Sequence, residues 1–127
     1  MDHYVYSGLK DEQQNIIREV LTTDVSYLIQ KAIHKVTGIK PAALRSPNRK
    51  RELCDARQMY FSLLRRTTDL PLKEIGRTVE RHHSTVISSI HTHNAKLQYD
   101  EAYQEAYAEL CAEINYLITS KHVKEDE

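Results

Sequence analysis

Hydrophobic positions recur at helical spacing along nearly the whole chain, and strand-like alternation is almost absent. Ile16, Ile17, Val20 and Leu21 are the apolar set of a first helix over residues 11–21. Thr22-Thr23-Asp24 offers an N-cap for the next one. That helix carries the stripe Val25, Leu28, Ile29, Ala32, Ile33 and Val36, with Gly38 placed to stop it and Pro41 behind. Leu44-Arg45-Ser46-Pro47-Asn48 reads as a connector. A third helix is predicted over residues 50–66, with Leu53, Ala56, Met59, Tyr60, Leu63 and Leu64 inward and Arg57, Arg65 and Arg66 outward.

After a break at Thr67-Thr68-Asp69, a short helix starts at Pro71, a favoured first helical position, with Leu72, Ile75 and Val79 at helical spacing. Glu80-Arg81-His82 forms a turn. A further helix begins near His83-Ser84-Thr85, where a hydroxyl can cap it, and continues through Val86, Ile87, Ile90 and Leu97. Asp100 caps a last, amphipathic helix with the seam Tyr103, Tyr107, Leu110, Ile114 and Leu117. The expected fold is therefore a compact all-α domain of five to six helices. Its expected divisions are an N-terminal extension over residues 1–24, a central domain over 25–97, a packed helix over 98–120 and a frayed tail over 121–127.

The segment 70–97 has the outline of a helix-turn-helix: short helix, tight turn, longer helix. Gly76, without a side chain, lets the two helices approach. The second helix opens with Arg81, His82, His83, Ser84 and Thr85, polar groups where a recognition helix reaches base edges. Thr85, Ser88 and Thr92 share a polar face.

Composition changes this picture only when divided. The 127 residues hold 18 Lys+Arg and 18 Asp+Glu, net zero. Residues 35–97 carry thirteen basic against five acidic side chains, net +8. Residues 1–34 (three against five) are net −2, and residues 98–127 (two against eight) are net −6. A basic middle between acidic ends favours a polyanionic partner.

Other chemistries find little support. No apolar run approaches a membrane span, and Met1–Lys10 lacks a signal-peptide core. The three glycines form no phosphate-cradling loop, so no nucleotide or other cofactor is expected. Cys54 and Cys111 lie far apart and read as small core residues in a reducing compartment, the cytoplasm. A metal site built from His82, His83, His91 and His93 is the alternative. The last two diverge on a helix, so no metal site is expected. No Ser-His-Asp or Cys-His arrangement is legible, and the expectation is a non-enzyme.

The stretch Glu74-Ile75-Gly76 followed by Arg81-His82-His83-Ser84-Thr85-Val86-Ile87 resembles the signature of the C-terminal DNA-binding domain of the bacterial replication initiator DnaA, roughly I-G-x-x-F-G-G-R-D-H-T-T-V. Arg57-Gln58-Met59 is similar to that family's A-R-Q helix, and Asn48-Arg49-Lys50-Arg51 to its basic loop. The resemblance covers about residues 25–97. It implies sequence-preferring binding of double-stranded DNA, with His82, His83 and Ser84 reading bases in the major groove and Arg49 entering the minor groove. It also implies phosphate contacts from Arg57, Gln58, Arg65 and Thr85. Lys73, Arg81 and Ser88 complete the expected phosphate-binding set.

Three departures stand out. His82 replaces the family's aspartate, Val79-Glu80 replaces the F-G-G turn, and nothing resembles the initiator's ATPase portion. A free-standing, nucleoid-associated DNA-binding domain acting in replication control or transcription regulation is the expectation. The competing one is a protein-interaction module that binds a replication protein through the last helix, whose Glu101, Glu105, Glu109 and Glu113 form an acidic stripe. A metal-dependent nuclease is the weakest alternative, since no spacing supports it.

Overall fold

The computed structural model describes residues 25–126, with side chains through Ser120. The expected first helix at 11–21 and the Thr22-Thr23-Asp24 cap lie outside the described residues. Among the described residues the chain is all-helical. The elements are α1 (Val25–Thr37), α2 (Pro41–Arg45), α3 (Arg51–Thr67), α4 (Leu72–Arg77), α5 (His83–Tyr99) and α6 (Glu101–Asp126).

Local chemistry sets most of these ends. Gly38 takes φ +80° beyond α1, and its N–H donates to the His34 carbonyl at 2.8 Å. Pro41 opens α2, a single turn too short to show a periodic apolar pattern, which is why the sequence reading passes over it. Asn48 Oδ1 accepts the Lys50 N–H at 2.9 Å just before α3. At the far end of α3, the Thr67 and Thr68 hydroxyls donate back to the carbonyls of Leu63 and Leu64. Asp100 ends α5 and caps α6 by accepting the Tyr103 N–H at 3.0 Å. The backbone of α6 continues helical to Asp126, beyond the residue 120 at which fraying was expected.

Helix α3 is the centre. Leu53, Ala56, Met59, Tyr60, Leu63 and Leu64 are all buried, as their spacing predicts. Around α3 pack α1, α4 and α5, and α6 lies across α1 and α5. The tyrosine seam belongs to this core: Tyr103, Tyr107, Leu110 and Ile114 are buried, and Leu117 is half-buried against it.

Two buried polar contacts pin the helices in register. The Tyr60 hydroxyl lies 2.7 Å from Ser26 Oγ on α1 and 2.6 Å from Thr78 Oγ1 at the end of α4. His93 on α5 is fully buried, with Nδ1 2.5 Å from the Tyr103 hydroxyl and its ring edge-on to Tyr107. Burial, and then the nearby Arg66 charge, lowers the His93 imidazole to about 4. Burial likewise raises both tyrosines well above the ordinary phenol range and pushes the Cys111 thiol up to about 12. Cys111 is the core residue its pattern predicts, whereas Cys54 is half-buried, and both are free thiols.

Candidate nucleic-acid interface

Helices α4 and α5 meet through a turn that needs Gly76. A Cβ there would lie 2.3 Å from the Arg81 carbonyl oxygen. The Gly76 carbonyl in turn accepts the Arg81 N–H at 2.8 Å and the Val79 N–H at 3.1 Å. Glu80 completes the reversal at φ +57°, the left-handed region that glycine occupies at no cost. Apolar Ile75, Val79 and Val86 close the inner side.

Helix α5 starts differently from the sequence expectation. Its cap is not a hydroxyl but the imidazole of His82, whose Nδ1 accepts the Ser84 N–H at 3.2 Å. His82, His83, Ser84 and Thr85 are all exposed at this tip, and the two imidazole rings lie 4.2 Å apart between centroids. Ser88, one turn on, is exposed and donates to the Thr85 carbonyl.

The basic loop is organised by an arginine whose charge alone suggests the outer side. Arg57 was expected outward on α3, as a phosphate ligand. It is 6% exposed. Its Nε donates to the Leu44 carbonyl at 2.9 Å and its Nη1 to Asn48 at 2.7 Å. Its Nη2 donates to Ala43 and Ser46 at 3.1 and 2.8 Å. A connector that turns its carbonyls inward leaves buried acceptors, and the planar guanidinium fork satisfies four of them. Burial first, and the charge of Arg81 second, lowers Arg57 from its ordinary value. Arg81 is likewise turned back toward the protein. Its guanidinium donates to the carbonyls of Ser46, Arg45, Val79 and Glu80, tying the helix-turn-helix to the same loop.

This double clasp leaves Arg49 and Lys50 exposed at the loop apex. It also leaves an open cleft of about 500 Å³ lined by Pro47, Arg49, Cys54, Arg57, Gln58, Arg81, Thr85 and Ser89. Arg49, Arg57, Gln58, Arg81 and Thr85 are thus brought together from three stretches of chain. Gln58 Oε1 is buried there without a partner. Arg65 near the end of α3 and Lys73 on α4 are exposed and do not line the cleft.

Two residues of this surface escape the sequence reading. Ser89 lines the cleft, and Ile87, taken there as part of the apolar stripe, is 50% exposed. His83, Ile87 and His91 are exposed at i, i+4 and i+8, so a helical projection is the signal that places Ile87 on the outer face. The four histidines do not assemble, because His93 is in the core. Among the described residues no group of three or more His, Cys, Asp or Glu is placed to hold a metal ion. None of the described helices is long and apolar enough to cross a membrane.

A glycine-hinged helix pair with an exposed polar tip, joined to a basic loop, defines a helix-turn-helix domain of the DNA-binding class. The family described as "Bacterial dnaA protein helix-turn-helix" matches residues 27–92, and the chain belongs to it. The chromosomal replication initiator protein DnaA of Oleidesulfovibrio alaskensis is 50% identical over 52 residues, 41% of this chain and 11% of that protein. The DnaA of Desulfotalea psychrophila is 39% identical over 83 residues, covering 60% of this chain and 17% of the relative. That of Caldanaerobacter subterraneus subsp. tengcongensis is 32% identical over 103 residues, covering 81% and 22%. The chain therefore spans at most about a fifth of the length of these three relatives. No solved structure matches it.

Proposed function

We propose that this chain binds double-stranded DNA with sequence preference, as a nucleoid-associated binding module of the cytoplasm acting in replication control or transcription regulation. The carrying observation is the common cleft, where the Arg49 loop, Gln58 of α3 and Thr85 of α5 converge beside the exposed His82-His83-Ser84 tip. Helix α5 enters the major groove, where the tip reads base edges. Arg49 reaches the adjacent minor groove, whose negative potential attracts an inserted guanidinium. Gln58, Thr85, Ser88, Arg65 and Lys73 hold phosphates and set register. Arg57 and Arg81 act one step back, by fixing the loop that presents Arg49.

The test is selection of bound sites from random duplex DNA, followed by titration at several salt concentrations. Affinity should fall steeply with salt, and Arg49→Ala should lower the log–log slope by roughly one unit. Salt-independent binding, or none at 50 mM salt, would sink the reading. A second reading has its own observation: Glu101, Glu105 and Glu109 on the outer face of α6 are exposed, and Tyr116 beside them is 61% exposed. That surface suits a basic patch on a replication protein, and the same titration separates the two.

A further inference from the structure

His82 does two things at once, and the first dictates the second. Its Nδ1 receives the Ser84 backbone N–H, and the Ser84 hydroxyl lies 2.9 Å from the same nitrogen. A backbone N–H can only donate, so Nδ1 is the unprotonated acceptor. The remaining ring nitrogen, Nε2, then carries the hydrogen. The nitrogen left for a ligand is therefore a donor with no capacity to accept. The residue is exposed at the N-cap of α5, and its ring is held beside that of His83 at 4.2 Å.

We infer that His82 is a specificity-determining residue that demands a hydrogen-bond acceptor on the facing base, and that this base is guanine. This rests on the DNA-binding reading above. Guanine offers two adjacent acceptors on its major-groove edge, N7 and O6; adenine sets one acceptor, N7, beside an amino donor, cytosine presents an amino donor, and thymine places a methyl group beside O4. A carboxylate at this position would cap α5 equally well, because aspartate is among the best N-cap residues, but it would present acceptors only. It would then favour the cytosine amino group. The chemical polarity of one base position is therefore set by which helix-capping side chain residue 82 supplies.

The full chain and its His82→Asp variant are each used to select sites from a random duplex library. The wild type should show guanine at one position facing the start of α5, by roughly tenfold over cytosine, and the variant should reverse that preference while the other positions stay as they were. Nitrogen NMR of the free wild-type protein supplies an independent readout, since His82 should be found as the Nε2–H tautomer. Sites with a fixed sequence but the same base at that position for both proteins would overturn the assignment and leave DNA binding standing. So would a neutral His82 in the Nδ1–H form. A wild type with no sequence preference at all would overturn both this inference and the reading it rests on.

Discussion

Arg57 shows how a single buried charge can govern a surface it barely reaches. Lysine at this position keeps the charge but cannot satisfy four carbonyls in one plane. Arg57→Lys should therefore lower stability by about 2 kcal/mol in denaturant titration, and it should release the loop over 44–50. Duplex affinity should fall with it, and the effect should overlap with that of Arg49→Ala in a double-mutant cycle. Strict additivity of the two would mean that Arg57 does not act through Arg49. His93 carries the residue-scale prediction for pH. In the unfolded chain its imidazole binds a proton below about 6.5, whereas the native ring stays neutral down to about 4. Between those values the unfolded state holds more protons, so stability rises with pH across the window and is lost as pH falls through it. The contribution, on the order of 3 kcal/mol, is fully present above the unfolded value. His93→Gln, which keeps a hydrogen-bonding partner for Tyr103 without titrating, should flatten the pH 4–6.5 limb of the stability curve. An unchanged limb would remove His93 as its source.

At the level of elements, the turn between α4 and α5 concentrates the backbone cost. Gly76→Ala forces a Cβ onto the Arg81 carbonyl, and backbone must move to admit it. A loss of about 1–3 kcal/mol is expected, together with weaker duplex binding, because the α4–α5 angle opens. Glu80→Gly acts in the opposite direction. It relieves a left-handed residue at φ +57°, worth roughly 1–2 kcal/mol, and returns about half through the freer unfolded chain, so a net gain of about 0.5–1 kcal/mol should appear in the melting curve. The elements themselves were largely legible: apolar spacing located α1, α3, α4, α5 and α6, and Gly76 announced the close helix approach. What spacing does not encode is which partner makes a polar side chain tolerable on an inward face. Arg57 is expected outward by residue type alone, yet its place at i+4 from Leu53 and i−3 from Tyr60 is on the inward face, where the connector's carbonyls receive it. His93 sits in a run of polar residues, yet the Tyr103 hydroxyl makes its burial tolerable. His82 caps a helix although imidazole is not among the usual capping groups. Spacing gives the side of the helix for Arg57 and His93; the partner that makes a polar group tolerable there lies elsewhere in the fold, beyond the reach of local pattern.

Across the whole molecule, charge is partitioned while its sum is zero. The +8 of residues 35–97 contains the loop and helix-turn-helix, and the −6 of residues 98–127 includes the exposed face of α6. Of the acidic stripe, Glu113 lies 3.9 Å from Lys35, while Glu101, Glu105 and Glu109 stay exposed. In the proposed binding mode such charges stay clear of a duplex held at the α5 tip, yet their field opposes approach by any phosphate backbone. Its reach is set by the Debye length, about 10 Å at 0.1 M salt and shorter above. Replacing the three exposed glutamates by glutamine should therefore raise affinity for random duplex DNA a few-fold at low ionic strength, chiefly through faster association. The preference among sequences should not move, because the proposed binding mode assigns it to contacts at the tip. At several hundred millimolar salt the variant and the wild type should converge. A difference that persists there would place the stripe in direct contact with DNA or in the folding of α6, and its role as a long-range brake on non-specific binding would fall.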